Sequence, residues 1–137
     1  MGYLVDTNVL SELRKKHRCN ENVRLWFNAT DKDSIYISVL VIGEIKRGIE
    51  KIQKRDKVAA MSLENWLQQV KKNARGRILP VTETIANRWG VINAGDPFPV
   101  IDSFLAATAI EHDLILVTRN ISDVERSGAR LLNPFDE

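Results

Sequence analysis

The sequence is poor in the residues that build thiolate and imidazole sites. Its 137 residues include one cysteine, Cys19, and two histidines. A single cysteine excludes an internal disulfide and any zinc or iron–sulfur site made from several thiolates, and it fits a reducing compartment such as the cytoplasm. The longest largely apolar stretch, residues 104–110, is too short to span a membrane. Residues 1–13, interrupted by Asp6 and Glu12, do not resemble a signal peptide.

Composition indicates one folded domain, which we assign to residues 1–137. The apolar fraction of 44% and the charged fraction of 28% are ordinary for a globular chain, so disorder and fibrous repeats are disfavoured. The formal net charge of +2 identifies no partner by itself. Basic residues do cluster at 14–18, 46–57 and 71–77, where they either form solvated helix faces or hold a polyanion.

Hydrophobic periodicity predicts strands that alternate with helices. We expect strands at residues 3–5, 35–38, 78–81, 114–117 and 130–132. Helices are expected at 7–16, around 23–27, at 39–53, from 58 to about 76, from 82 to about 92, and at 101–112. Strands separated by helices predict an α/β fold with a mostly parallel central sheet of four or five strands and helices on both faces.

Four carboxylates stand where strands pass into helices or at the mouth of a helix: Asp6, Glu44, Asp102 and Asp123. In an open α/β sheet, ligands bind beyond the carboxyl ends of the strands. Acids gathered at that edge would repel one another unless a cation lay between them. A cluster rich in oxygen and without nitrogen suits Mg²⁺ or Mn²⁺, which predicts metal-assisted hydrolysis of a phosphodiester.

Each acid also has a structural explanation. Asp6 precedes one predicted helix and Asp102 lies at the start of another, where a capping aspartate stabilises a helix by about 1 kcal/mol. Glu44 borders an apolar stripe and can pair with a nearby base such as Lys51, and Asp123 lies in a turn-like segment. Capping does not, however, require several acids at the same edge of the sheet.

The chain resembles a known family at these positions. Leu4-Val5-Asp6-Thr7-Asn8, Gly43-Glu44-Ile45, Asp102-Ser103-Phe104-Leu105 and Val117-Thr118-Arg119-Asn120 are similar to motifs of the PIN-domain ribonucleases. The closest group is the VapC/FitB-like toxins of bacterial type II toxin–antitoxin systems. The resemblance extends from Tyr3 to about Pro134, and its opening and Asp102 motifs are the specific ones.

The resemblance implies site residues, a cofactor and partners. It places the metal-binding and catalytic acids at Asp6, Glu44, Asp102 and Asp123, with Asn120 as an alternative fourth ligand and Mg²⁺ or Mn²⁺ as the metal. Orienting roles are expected for the supporting set Thr7, Asn8, Ser103, Thr118 and Asn120. The implied partners are an RNA substrate, a cognate antitoxin and a second copy of the chain. Trp26, Phe27 and Trp66 either belong to the core or provide an interface.

Water activated by the metal would leave 5′-phosphate and 3′-hydroxyl ends. Neither His17 nor His112 is expected to act as in a metal-independent ribonuclease. Three alternatives stay open: an inactive PIN-fold module that binds RNA or a protein partner, a metal-dependent DNA nuclease, and a flavodoxin-like regulatory domain whose acids are helix caps.

Overall fold

Five short parallel strands form the central sheet of this protein. In the computed structural model, which describes residues 1–136, they are β1 (Gly2–Val5), β2 (Ile35–Ser38), β3 (Ile78–Leu79), β4 (Leu114–Val117) and β5 (Arg130–Leu132). Their order across the sheet is β3-β2-β1-β4-β5, and every neighbouring pair is parallel. The predicted α/β architecture is therefore confirmed.

Helices connect the strands, as parallel pairing requires. They are α1 (Thr7–Arg14), α2 (Glu21–Ala29), α3 (Val39–Gln53), α4 (Lys57–Asn73), α5 (Glu83–Ile92), α6 (Val100–Glu111) and α7 (Ile121–Val124). Three single-turn 3₁₀ helices lie at Lys16–Arg18, Lys32–Ser34 and Glu125–Ser127. Within residues 1–136, no helix is long and apolar enough to cross a membrane.

The sheet separates two hydrophobic cores because successive side chains of a strand point to opposite faces. Leu4 packs on one side with α3, α4 and α6 through residues such as Ile45 and Leu105. Val5, the next residue of β1, packs on the other side with Val9 of α1 and Val23 of α2. Both faces of the sheet are thus covered, and β1 lies at the centre of the molecule.

Most element boundaries agree with the predicted ones to within three residues, and three of the differences are informative. Helix α1 ends at Arg14 rather than at 16, because Lys16 has a left-handed φ of 56°. Strand β3 stops at Leu79, before Pro80, which has no N–H to donate to a ladder. Helix α7 occupies part of the segment that the sequence suggested was a loop.

The order of the strands fixes where a ligand site belongs. The chain builds outward from β1 to β2 and β3 on one side, and to β4 and β5 on the other. The connections therefore diverge between β1 and β4, which leaves a crevice at the carboxyl ends of these two strands. Asp6 directly follows β1, and Thr118 directly follows β4.

Candidate metal centre

Asp6 lies at the switch point between β1 and β4. Its N–H donates to the carbonyl of Val117 at 2.9 Å, which extends the pairing of the two strands by one residue. Its carboxylate accepts from the Thr118 hydroxyl and the Thr7 N–H, both at 2.7 Å, and from the Asn8 amide at 3.3 Å. Asp6 does cap α1, as the capping explanation expected, but its N–H also donates to Val117 of β4.

Burial sets the charge properties of Asp6. The residue is 5% exposed, and this burial raises the pKa of its carboxyl group above the usual value. The hydrogen bonds from Thr118, Thr7 and Asn8 act in the opposite direction, because they favour the charged form. These three donors, from Thr7, Asn8 and Thr118, fix the orientation of the Asp6 carboxylate.

Glu44 reaches the same edge of the sheet from α3. That helix begins directly after β2, with the Ser38 hydroxyl accepting from the Leu40 N–H at its first turn. Glu44 is half-buried in the second turn, and its Oε1 accepts from the Thr7 hydroxyl at 2.7 Å. Thr7 therefore contacts both acids, through its N–H to Asp6 and through its hydroxyl to Glu44.

Asp102 is not a helix cap. It lies in the first turn of α6, whose N-cap position is Pro99 and whose end has no side-chain capping bond. The capping explanation for Asp102 is therefore wrong. The pKa of Asp102 is raised to about 6, first by burial and then by the negative charges of Asp6, Asp123 and Glu44. The fold therefore brings Asp6, Glu44 and Asp123 close enough to Asp102 for their charges to raise its pKa.

Asp123 completes the group from α7 and is exposed. It lies on a helical turn rather than in a loop, three residues after Asn120, whose backbone N–H donates to the Thr118 hydroxyl at 3.0 Å. The Asn8 side chain accepts from the Arg119 N–H at 3.2 Å. These bonds fix the segment between β4 and α7 relative to Asp6.

Among the described residues, no basic side chain forms a salt bridge with any of the four carboxylates, Asp6, Glu44, Asp102 and Asp123. Four acids whose charges interact and that have no paired base create a negative potential that favours a cation. Their donor atoms are all carboxylate oxygens, a set suited to Mg²⁺ or Mn²⁺.

The acids do not converge tightly as they stand. In the described part of the chain, no three acidic, histidine or cysteine side chains are placed to hold a metal ion directly. The separation of the acids is compatible with the raised pKa of Asp102, because charges interact over longer distances than metal–ligand bonds span. Mutual repulsion favours separated carboxylates as long as no cation lies between them. The residue types fit a divalent ion, but the carboxylates would have to move closer together to bind it directly.

Ser103 does not have the predicted orienting role. Its hydroxyl donates to the carbonyl of Val100 at 2.8 Å and accepts from the Trp89 indole N–H at 2.9 Å. Trp89 also stacks on Phe104, with ring centroids 4.9 Å apart. Ser103 therefore helps to join α5 to α6 and supports Asp102 only through the position of its helix.

Glu12 is a buried acid that the sequence analysis did not single out. Its carboxylate accepts from the Asn20 N–H at 2.8 Å and from the Lys15 ammonium at 3.0 Å. The bond from Lys15, followed by that from Asn20, holds the pKa of Glu12 below its usual value. Glu12 thus fixes the chain between α1 and α2. The available sequence signal was the spacing of Glu12, which lies three residues after Val9 and therefore on the same face of the helix.

A separate groove of about 680 Å³ lies between α1, α2, β2 and α4 and includes none of the four acids. Its large apolar lining residues are Leu10, Leu13, Phe27, Ile35, Ile37, Trp66 and Val70. Four basic residues, Lys16, Arg24, Lys32 and Arg77, also line it. Of the three aromatic residues considered for an interface, Phe27 and Trp66 line this groove, whereas Trp26 packs edge-on against Tyr3.

Comparison with protein families gives one match over most of the chain. The model described as the PIN domain matches residues 3–123, a span that contains all four acids. Two similar proteins are toxin FitB of Neisseria gonorrhoeae and VapC ribonuclease Y4jK of Sinorhizobium fredii. FitB is 27% identical, with 98% of this chain and 99% of FitB covered. Y4jK is 28% identical, with 97% of each chain covered.

Solved structures show the same fold. The FitAcB structure from Neisseria gonorrhoeae aligns with a TM-score of 0.87 and 28% identity over 98% of this chain and 99% of that one. DNA-bound VapBC from Salmonella typhimurium aligns with a TM-score of 0.78 over 98% of each chain. At 22% identity, the second likeness supports the fold alone.

Proposed function

Because this chain belongs to the PIN domain family, we propose that it is the toxin of a type II toxin–antitoxin pair and acts as a metal-dependent endoribonuclease. The observation that carries the proposal is the set of four carboxylates at the switch point of the sheet, with no salt-bridge partner among the described residues. Its relatives FitB and Y4jK are named as a toxin and a VapC ribonuclease.

Each acid has a role that follows from its surroundings. Asp6 and Asp102 would hold Mg²⁺ or Mn²⁺, with Glu44 and Asp123 contributing directly or through water. Bound there, the ion would supply a more acidic water and offset the charge on the phosphate oxygens. Glu44 or Asp123, whichever is less engaged, would accept the proton of the attacking water. The Thr118 and Thr7 hydroxyls keep Asp6 and Glu44 oriented during the reaction.

The reaction is an in-line displacement at phosphorus. The water oxygen forms a bond to phosphorus, and the bond from phosphorus to the 3′ oxygen breaks. The departing 3′ oxygen takes a proton, so the products carry a 5′-phosphate and a 3′-hydroxyl. The substrate's 2′-hydroxyl is not the nucleophile, and no cyclic phosphate forms.

The chemistry of the cut ends tests this proposal. We expect RNA from cells that briefly express the protein to gain new 5′-monophosphate ends, which sequencing by direct adaptor ligation detects. The ends should be absent with Asp102→Asn and present with Asp96→Asn, the same change at an exposed loop residue outside the site. Cyclic phosphate ends, or cleavage of DNA alone, would contradict the proposed mechanism or substrate.

The antitoxin partner is supported by the FitAB and FitAcB structures among the structural neighbours, which are 26% and 28% identical to this chain. We place an apolar segment of the antitoxin in the 680 Å³ groove, because aromatic and aliphatic side chains line it and such residues anchor interfaces. Its four basic residues favour a segment that also carries acids. The groove adjoins α1, the helix that begins after Asp6. A second copy of the chain stays a prediction.

Val70→Glu is expected to weaken antitoxin capture at least about 30-fold, the loss typical of a strong interface position. Val70 lines the groove in α4 and belongs to neither core cluster, so folding should persist. Val58→Glu is the matched control, because Val58 is an 83% exposed residue of the same helix outside the groove. The test is co-purification with the product of the adjacent small reading frame. Equal capture by both variants would refute this placement.

A further inference from the structure

Two arginines lie close in sequence to residues of the acid cluster, and neither forms a salt bridge with its carboxylates in the described part of the chain. Arg119 directly follows Thr118, whose hydroxyl binds Asp6, and Arg126 follows Asp123 by three residues. Arg119 and Arg126 are both exposed. They approach the site from different directions, because one follows β4 and the other follows α7.

An aromatic ring holds each guanidinium in place. The Arg119 guanidinium lies 4.4 Å from the centroid of the Phe135 ring, and that of Arg126 lies 4.6 Å from the centroid of Phe98. A cation over a ring face is attracted by the ring quadrupole, and a stacked guanidinium keeps its N–H edge free for other acceptors. The two cations are therefore positioned without using their hydrogen-bond donors.

The rings themselves are firmly attached. The Phe135 carbonyl accepts from the Asn22 amide at 2.9 Å, and its ring packs against the core on the α1–α2 face of the sheet. Phe98 is 8% exposed, and its N–H donates to the Asn93 side chain at 2.9 Å, just before α6. Because α6 packs on the other face, the two stacked arginines lie on opposite sides of the sheet edge.

The charge of these arginines is not neutralised within the described chain. Other arginines pair with acids: Arg88 binds Glu111 at 2.7 Å, and Arg24 binds Glu21. Within residues 1–136, neither Arg119 nor Arg126 forms a salt bridge or a side-chain hydrogen bond with protein. Arg119 contributes a minor charge effect at Glu12, which Lys15 and Asn20 already satisfy.

We propose that Arg119 and Arg126 bind backbone phosphates of single-stranded RNA on the two sides of the acid cluster. This inference rests on the proposed function, since it concerns how substrate reaches the same site. Four carboxylates repel a polyanion, so cations must flank them if RNA is to enter. A pre-positioned guanidinium with free N–H groups matches a phosphate in geometry and charge. Phosphate contacts carry no base information, so the contribution should be independent of RNA sequence.

The test compares Arg119→Gln, Arg126→Gln and the double variant with Arg55→Gln, an exposed arginine outside the site. The probes are two fluorescein-labelled 15-nucleotide single-stranded RNAs of unrelated mixed sequence. Anisotropy is measured in an Asp102→Asn background to prevent cleavage. Each single change should weaken binding about 10-fold, as expected for a charge-assisted hydrogen bond, and equally for both RNAs. Each should also reduce the slope of log affinity against log salt by about 0.7.

Cleavage kinetics in the wild-type background separate binding from chemistry. We expect the arginine variants to raise KM with little change in kcat, and to leave Mn²⁺ binding and Tm unaltered. Arg126→Lys should recover part of the lost affinity, because it restores charge but not the stacked planar group. A merely structural role would lower Tm and would not change the salt slope.

Three results would overturn the inference. If the double variant binds RNA as Arg55→Gln does while the wild type cleaves RNA, the inference fails and the proposed function stands. If the wild-type protein neither binds nor cleaves either RNA, both fail. If the arginine changes weaken antitoxin capture but not RNA binding, the arginines serve the protein partner instead.

Discussion

Asp102→Asn is expected to lower the rate of RNA cleavage by about a thousandfold. The change keeps the size of the side chain but removes the carboxylate whose pKa responds to Asp6, Asp123 and Glu44 together. Loss of charge stabilisation by a divalent metal is worth several kcal/mol in such a reaction, and about 4 kcal/mol corresponds to a factor of about a thousand. The measurement is single-turnover cleavage of a labelled RNA at saturating Mn²⁺.

The same variant should abolish growth arrest when the protein is expressed without antitoxin. Asp96→Asn is the control, and both variants must be folded by circular dichroism. If a folded Asp102→Asn protein cleaves RNA at the wild-type rate, or still arrests growth, Asp102 is not part of the catalytic site. Arrest without cleavage would favour the inactive RNA-binding or partner-binding alternative.

The positions of the strands could be predicted because their sequence signals are local. β2, β4 and β5 lie at the expected residues, since each is a short run made mostly of apolar residues. α3 also matches its predicted span, because its apolar residues recur with helical spacing. The short helix α7 has only four residues, too few for any periodicity to indicate it.

The grouping of the acids was predictable, but the details of their contacts were not. Acids at strand ends meet at one edge of a parallel sheet, so Asp6 could be placed near the residues after β4. Ser103 was misassigned because its partner Trp89 belongs to another helix, and no local pattern reveals that packing. The stacking of Arg119 on Phe135 and of Arg126 on Phe98 likewise depends on tertiary structure.

The acid cluster should also reduce the stability of the metal-free protein. The folded protein holds the Asp102 proton more tightly than the unfolded chain does, because its pKa is raised to about 6. The raised pKa of Asp102 therefore contributes to the stability of the folded protein below the unfolded pKa of about 3.9. This contribution is lost as the pH rises through about 6. After allowance for solvent screening, the ionised group at pH 7.5 costs on the order of 1 kcal/mol.

Asp102→Asn should consequently be more stable than the wild type in EDTA at pH 7.5. The expected increase in Tm is about 4 °C for a domain of this size. The difference should shrink at pH 5, where the wild-type carboxyl group is largely protonated. With Mn²⁺ present, the wild type should become more stable than Asp102→Asn. A ligand that binds only the folded state, at a concentration 100 times its Kd, adds about 2.7 kcal/mol to the free energy of unfolding.

Calorimetric titration of Mn²⁺ into the wild type and Asp102→Asn tests the central claim, which is that four distant carboxylates form one divalent-cation site. We expect saturable binding to the wild type, weakened at least about 10-fold by Asp102→Asn, and no change with Asp96→Asn. Identical isotherms for the wild type and Asp102→Asn, or no binding to either, would contradict the account.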